Sequence, residues 1–207
     1  MKGTQMVYVH PAPIRVWHWV NAAGFMALVV TGFQIRFAEI FSFLSLQDAI
    51  ILHNYTGVVV IADYLLWFGY YFATGKIKIY FPDLRTFVPQ AIKQAMFYGY
   101  GIFKGEPNPH QMTPDNKFNP LQQNAYLGLM FVFLPAQIFS GLFLWQVKKF
   151  EGYIGLMGGV KFVDTIHVLL FYFFAAFLIA HCYLATLGHT PLAHFKAMLT
   201  GYEEHHE

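Results

Sequence analysis

Four histidines lie in or at the ends of strongly apolar runs: His18 in "VWHWVNAAGF", His53 in "ILHNYTG", and His167 and His181 in "IHVLLFYFFAAFLIAHCYL". Ionisable residues inside such runs are costly and are functional candidates by default. His167 and His181 stand fourteen positions apart. In a helix that spacing turns through about 1,400°, returning to within about 40° of one face, and rises about 21 Å. The two imidazoles therefore share a face near opposite ends of one helix. His18 begins one run and His53 begins the next, so each has a counterpart at its own depth. Two levels of paired neutral imidazoles, without a nearby carboxylate or thiolate, are the donor set of a bis-histidine iron centre such as b-type haem, not of zinc or non-haem iron. For any one of the four, a hydrogen bond to a neighbouring helix is the ordinary alternative; agreement in depth and face among all four favours metal ligation. His10, His110, His189, His194, His205 and His206 fall outside the apolar runs and read as solvated or interfacial imidazoles.

The elements that must position them follow from composition. Of 207 residues, 57% are apolar, 19% aromatic and only 12% charged, too apolar for a soluble surface and suited to a small polytopic membrane protein. A net charge of +2 without a basic stripe excludes a nucleic-acid-binding face. Cys182 is the single cysteine, which excludes a disulfide framework, a cysteine-held iron–sulfur or zinc site, and covalent haem of the C-x-x-C-H type. The first twenty residues show no short apolar core ending in a small-residue cleavage site, so the first span is expected to serve as its own insertion signal.

Four segments are long enough to cross a bilayer as helices: Val16–Ile35, Ile51–Thr74, Asn124–Trp145 and Val163–Leu187. The expected fold is an all-α integral membrane protein, one domain spanning 1–207. It is a four-helix bundle holding two b-type haems, with a long connection, Gly75–Gln123, between the second and third spans. Pro135 should kink the third span. The middle of the connection, "LRTFVPQAIKQAMFYGYGIF", reads either as a helix lying on the membrane surface or as a plain linker, and "GEPNPHQMTPDNKFNPLQQNAY" as turns. Lys2, Arg15, Lys76, Lys78, Arg85, Lys93, Lys104, Lys117 and Lys196 lie on the side of the termini, against Arg36, Lys148, Lys149 and Lys161 on the other. The positive-inside rule then makes both termini and the long connection cytoplasmic. Gly57, one turn after His53, is placed to let a macrocycle approach the backbone. Asp63 falls mid-way along the second span, about 80° from the His53 face; a carboxyl there should be protonated or paired.

"RVWHWVNAAGFMALVVTG" in the first span, "LHNYTG" in the second, "SGLFLW" closing the third and H-x13-H in the fourth together resemble the bacterial di-haem cytochrome b family. That family includes the gamma subunit of formate dehydrogenase, the b-type cytochrome of nickel–iron hydrogenases and the membrane subunit of thiosulfate reductase. The resemblance covers nearly the whole chain. It implies axial ligation of one haem by His18 with His181 and of the other by His53 with His167. It also implies a menaquinone or ubiquinone pocket on the cytoplasmic side. There the formate dehydrogenase relative carries an Asn before its third helix, which corresponds here to Asn119, with Leu121 and Gln122 close by. An amide can donate to a quinone carbonyl, although Asn119-Pro120 is equally good helix N-cap chemistry. The chain departs from the relative at Leu121, where a Gly is expected.

The expected function is a membrane subunit of a respiratory oxidoreductase. It would pass electrons between quinone, near the inner haem, and a partner at the outer haem, built from an iron–sulfur subunit and a molybdopterin or nickel–iron catalytic subunit. His189 and His194 are candidate proton carriers at the inner surface. Two alternatives stand beside this reading: a stand-alone di-haem superoxide:quinone oxidoreductase, and a haem-free anchor or transporter.

Overall fold

The computed structural model describes residues 4–110, 118–188 and 190–206. Helix α1 (Ala12–Arg36) and helix α2 (Leu46–Ala73) form one antiparallel hairpin. Their backbones approach closely because Gly24 presents no Cβ; an added one would lie 2.7 Å from Val60 Cγ2. Small residues at such contacts let membrane helices pack. Ser45 caps α2 by accepting from Asp48 N–H at 3.0 Å and donating to the Asp48 carboxylate at 2.6 Å, which starts this helix five residues before the expected apolar run.

The connection to the third span is folded. A 3-10 turn (Lys76–Tyr80) precedes α3 (Leu84–Gly99), capped by Asp83, which accepts from Arg85 N–H at 3.0 Å. The segment read as a helix within the connection is helical as α3. Phe87, Ala91, Gln94 and Tyr98 turn inward, Leu84, Val88, Ile92 and Met96 are exposed, and Thr86, Gln90 and Lys93 form a polar side.

The third span is α4 (Pro120–Gly128), a π turn (Leu129–Phe133) and α5 (Leu134–Trp145) in one continuous run. Pro135 explains the π turn. Leu134 N–H bonds Leu129 O, and the next residue, Pro135, has no N–H to offer Met130 O. That carbonyl accepts instead from the Tyr64 hydroxyl of α2 at 3.0 Å. The disruption expected at Pro135 is thus a widened turn just before it, satisfied from a neighbouring helix as a membrane interior requires.

A short helix, α6 (Glu151–Leu156), leads through Gly158 and Gly159, both at positive φ (101° and 94°), into α7 (Val160–Ala185). Helix α7 pairs with α5 as the second hairpin. All four spans satisfy the length and apolarity of membrane-crossing helices, so the chain is a mostly helical, multi-pass membrane protein. Each is longer at its start than hydropathy indicates, because caps and glycines, not apolar runs, set helix starts.

One element departs from an all-α expectation. β1 (Thr4–Tyr8) pairs antiparallel with β2 (Tyr202–His206), following α8 (Ala193–Thr200). An even number of crossings returns the chain end to its starting side. Val9 and His10 N–H both donate to Gly201 O. Gly201, at φ 93°, has room for no Cβ between Tyr8 and His10 O. Arg15 bonds Leu199 O and Trp19 Nε1 bonds Met198 O at 3.1 Å, fastening α8 to the start of α1.

Tyr64→Phe leaves the Met130 carbonyl without a partner inside the membrane. A destabilisation of about 0.5–2 kcal/mol is expected, read as a lower Tm in detergent with unchanged helix content.

Candidate electron-transfer site

The two hairpins meet along a seam crossed by histidine pairs. His18 of α1 faces His181 of α7, ring centroids 6.2 Å apart with the planes at 46°. His53 of α2 faces His167 of the same α7, at 6.4 Å and 75°. All four rings are half-buried. The pairs stand at two levels of α7, as the fourteen-residue spacing implies. Between them Phe174, seven positions from each α7 histidine, meets Phe25 of α1 edge-to-face at 5.2 Å.

Each ring of the second pair is held by its own hairpin partner. Thr31 of α1 spends its hydroxyl proton on Ala27 O at 2.6 Å, so its oxygen accepts from His53 Nδ1–H at 2.9 Å. Ser140 of α5 donates to Gln137 O at 3.0 Å and accepts from His167 Nδ1–H at 2.9 Å. Gln137 Nε2 lies 3.3 Å from His167 Nε2. The residue after each hydroxyl is glycine. A Cβ on Gly32 would lie 3.3 Å from His53 Cε1, and one on Gly141 3.1 Å from His167 Cε1. Hydroxyl and glycine together seat each imidazole against the facing helix. The first pair is held differently: among the described residues the buried His18 Nδ1 has no hydrogen-bond partner, and Phe177 stacks on His181 at 5.7 Å.

Thr31-Gly32 closes one of the quoted motifs and Ser140-Gly141 opens another, yet sequence reading passed over them. The available signal was a hydroxyl–glycine dipeptide in an apolar helix. Gly57, read as a close-approach position, faces open space, with nothing within 4 Å of an added Cβ.

Asn119 is 3% exposed and caps α4. Its Oδ1 accepts from Gln122 N–H at 2.9 Å, Gln122 Oε1 accepts from Asn119 N–H at 3.1 Å, and its Nδ2 donates to the Tyr98 hydroxyl at 3.0 Å. The N-cap chemistry read from Asn119-Pro120 is therefore present, and it occupies most of the amide. Burial pushes the Tyr98 phenol above its ordinary pKa, with Gln94 and Asn119 opposing the shift. Leu121 and Gln122 are half-buried, and Gln122 Nε2 makes no hydrogen bond among the described residues. Gln123, which sequence reading missed, ties α4 to the 3-10 turn by donating to Ile79 O at 2.7 Å. An aromatic chain runs from this turn toward the first pair. Phe118 meets Tyr80 (5.3 Å), Tyr80 meets Trp67 (5.3 Å), and Trp67 meets Trp17 (6.1 Å), next to His18.

Asp63 is buried, with Asn21 of α1 alongside; Asp63 Oδ2 and Asn21 Nδ2 each lack a well-directed hydrogen bond. His194 lies 3.3 Å from Glu203, and His189 is outside the described residues. Among the described residues no three metal-ligating side chains come together.

The description "Prokaryotic cytochrome b561" matches residues 9–201. The chain belongs to the prokaryotic cytochrome b561 family. It is 32% identical over 205 residues to a protein of Escherichia coli K12 named "Putative cytochrome YdhU", covering 97% of this chain and 76% of that one. It is 26% identical over 210 residues to the "Probable Ni/Fe-hydrogenase B-type cytochrome subunit" of Cupriavidus necator, covering 89% and 80% of the two chains. A Bradyrhizobium diazoefficiens protein of the same name is 26% identical over 202 residues, covering 88% and 79%. No solved structure matches. As a member of the cytochrome b561 family, the chain is a membrane electron-transfer cytochrome carrying b-type haem.

Gly141→Ala presses a methyl group on the His167 ring and is expected to lower haem per chain, measured by pyridine haemochrome. Gly69→Ala, where an added Cβ meets nothing within 4 Å, should leave haem content at the wild-type value.

Proposed function

We propose that the chain is the di-haem membrane subunit of a respiratory oxidoreductase, with His18 and His181 as axial ligands of one haem and His53 and His167 of the other. The spacing of the paired rings carries this reading. Two imidazoles bonded trans to one iron, at about 2 Å per bond, hold their centroids about 6.3 Å apart, against 6.2 and 6.4 Å here. Gln137, now at His167 Nε2, must swing aside on haem loading; its Oε1 has no hydrogen bond to lose. A b-type haem held by each histidine pair would supply one-electron exchange. Electrons would pass between the two levels past Phe25 and Phe174, whose rings meet edge-to-face.

The side of β1, β2 and α3 carries most of the Lys and Arg residues, which supports a cytoplasmic position for both termini in a bacterial inner membrane. On this orientation quinone, menaquinone or ubiquinone, reacts near the His18 and His181 level, at the turn of Asn119, Leu121 and Gln122. Its reduction takes two electrons and two cytoplasmic protons. Gln122 Nε2 and the remaining Asn119 Nδ2 hydrogen are the donors suited to a quinone carbonyl. The aromatic chain from Phe118 to Trp17 joins that turn to the haem level. The His53 and His167 level faces the opposite side, where a partner exchanges electrons. The names of the Cupriavidus and Bradyrhizobium relatives, as hydrogenase cytochrome subunits, support a partner catalytic complex; in this proposal its nickel–iron or molybdopterin subunit delivers electrons through an iron–sulfur subunit. With one cysteine, this chain cannot supply such a cluster itself.

Purified protein should contain about two b-type haems per chain by pyridine haemochrome assay; a colourless preparation would refute the assignment. Asn119→Ser keeps an N-cap acceptor but removes the amide donor. It should slow quinone turnover severalfold with both haem spectra intact, whereas loss of haem would make Asn119 purely structural.

A further inference from the structure

The two histidine levels are not equivalent, and the difference lies in the atoms behind the rings. At the His53 and His167 level both Nδ1–H groups donate to a hydroxyl oxygen at 2.9 Å, from Thr31 and Ser140. Each hydroxyl is locked in that accepting role, because its own proton goes to a backbone carbonyl of its helix. At the other level, among the described residues, the buried His18 Nδ1 has no partner and His181 makes no side-chain hydrogen bond. One centre is therefore backed by two matched hydrogen bonds, the other by ring stacking.

A hydrogen bond from the far nitrogen of a metal-bound imidazole fixes the tautomer, orients the ring and raises the basicity of the ligating nitrogen. A more basic ligand favours the ferric state over the ferrous one and lowers the reduction potential. We propose that Thr31 and Ser140 are positioning residues that set the haem of the His53 and His167 level at a lower potential than that of the His18 and His181 level. The electron gradient across the membrane is thereby built into two hydroxyls, and it runs downhill toward the side of the chain termini. Gly32 and Gly141 belong to the same device, since each brings a helix close enough for the hydroxyl before it to reach the ring. The inference rests on the ligand assignment proposed above.

The test is a spectroelectrochemical redox titration of the purified, haem-loaded protein with Thr31→Val, Ser140→Ala and Thr31→Ser. The wild type should titrate as two one-electron components. Thr31→Val and Ser140→Ala should each raise the lower component, and only that one, because both side chains serve one iron. The expected change is up to about tenfold in its reduction equilibrium, or about 59 mV for one electron. Thr31→Ser, which keeps the oxygen, should titrate as wild type, as a purely space-filling role for Thr31 would not predict. The proposal is overturned if neither component moves, if the two variants move different components, or if Thr31→Ser shifts as far as Thr31→Val. In protein holding two haems, the first and third results leave the ligand assignment standing, whereas variants that move different components overturn the pairing of His53 with His167 as well. A wild-type protein with fewer than two haems per chain overturns both. If Thr31→Val loses haem, Ser140→Ala against wild type carries the same comparison.

Discussion

An imidazole inside a bilayer is costly unless its nitrogens have something to bind, and the bundle gathers its four half-buried imidazoles into two facing pairs, with side-chain hydrogen bonds backing the His53 and His167 pair. Helix α7 carries one histidine near each end, and its partners come from two different helices of the other hairpin. Neither hairpin can hold a pair alone, so the seam between them becomes the working part of the molecule. Within each hairpin the packing is close: Gly24 lets α1 lie against α2, and Gly32 and Gly141 let α1 and α5 reach the histidines of their neighbours. Across the seam, ring faces ring at about the distance that an iron and its two bonds occupy.

The same demand for satisfied polar groups explains features that have no direct part in electron transfer. Pro135 removes an N–H, the helix widens into a π turn, and the Tyr64 hydroxyl takes up the freed carbonyl. Ser45 and Asn119 end their helices with side-chain caps, and Gln123 closes the carbonyl of Ile79. Water is absent from the hydrocarbon layer, so the carbonyl freed within the third span must be met by a neighbouring helix. Where the chain leaves the apolar layer, aromatic side chains replace water as the packing medium. Trp67, Tyr71 and Tyr80 form a buried cluster at the end of the bundle near the chain termini, and it links the Asn119 turn to the His18 level.

Membership of the prokaryotic cytochrome b561 family agrees with this arrangement and with the four spans. A membrane electron carrier needs redox groups near both surfaces and an apolar interval between them that passes electrons but not ions. Between the two histidine levels stand the Phe25 and Phe174 rings, which are large, apolar and without exchangeable protons.

Much of this was legible in the sequence, because the bilayer imposes lengths and periods that a chain must display. Twenty-odd apolar residues, and histidines fourteen apart on one helical face, admit few readings. Span number, the shared face of His167 and His181 and the level pairing all follow from that. Helix starts did not follow, since Ser45, Asn119 and the Gly158-Gly159 pair act through local geometry beyond the reach of hydropathy. The β1–β2 ribbon joins residues almost two hundred positions apart, a contact no local pattern announces. Least legible were Thr31 and Ser140, since a hydroxyl in an apolar helix looks the same whether it bonds its own backbone or a neighbour's imidazole. The sequence by itself determined which side chains lie at which depth, because a helix in a membrane converts residue number into height. Only the tertiary structure decided which helices face one another, and with that which nitrogen meets which oxygen, because rotation about a helix axis is set by packing against neighbours.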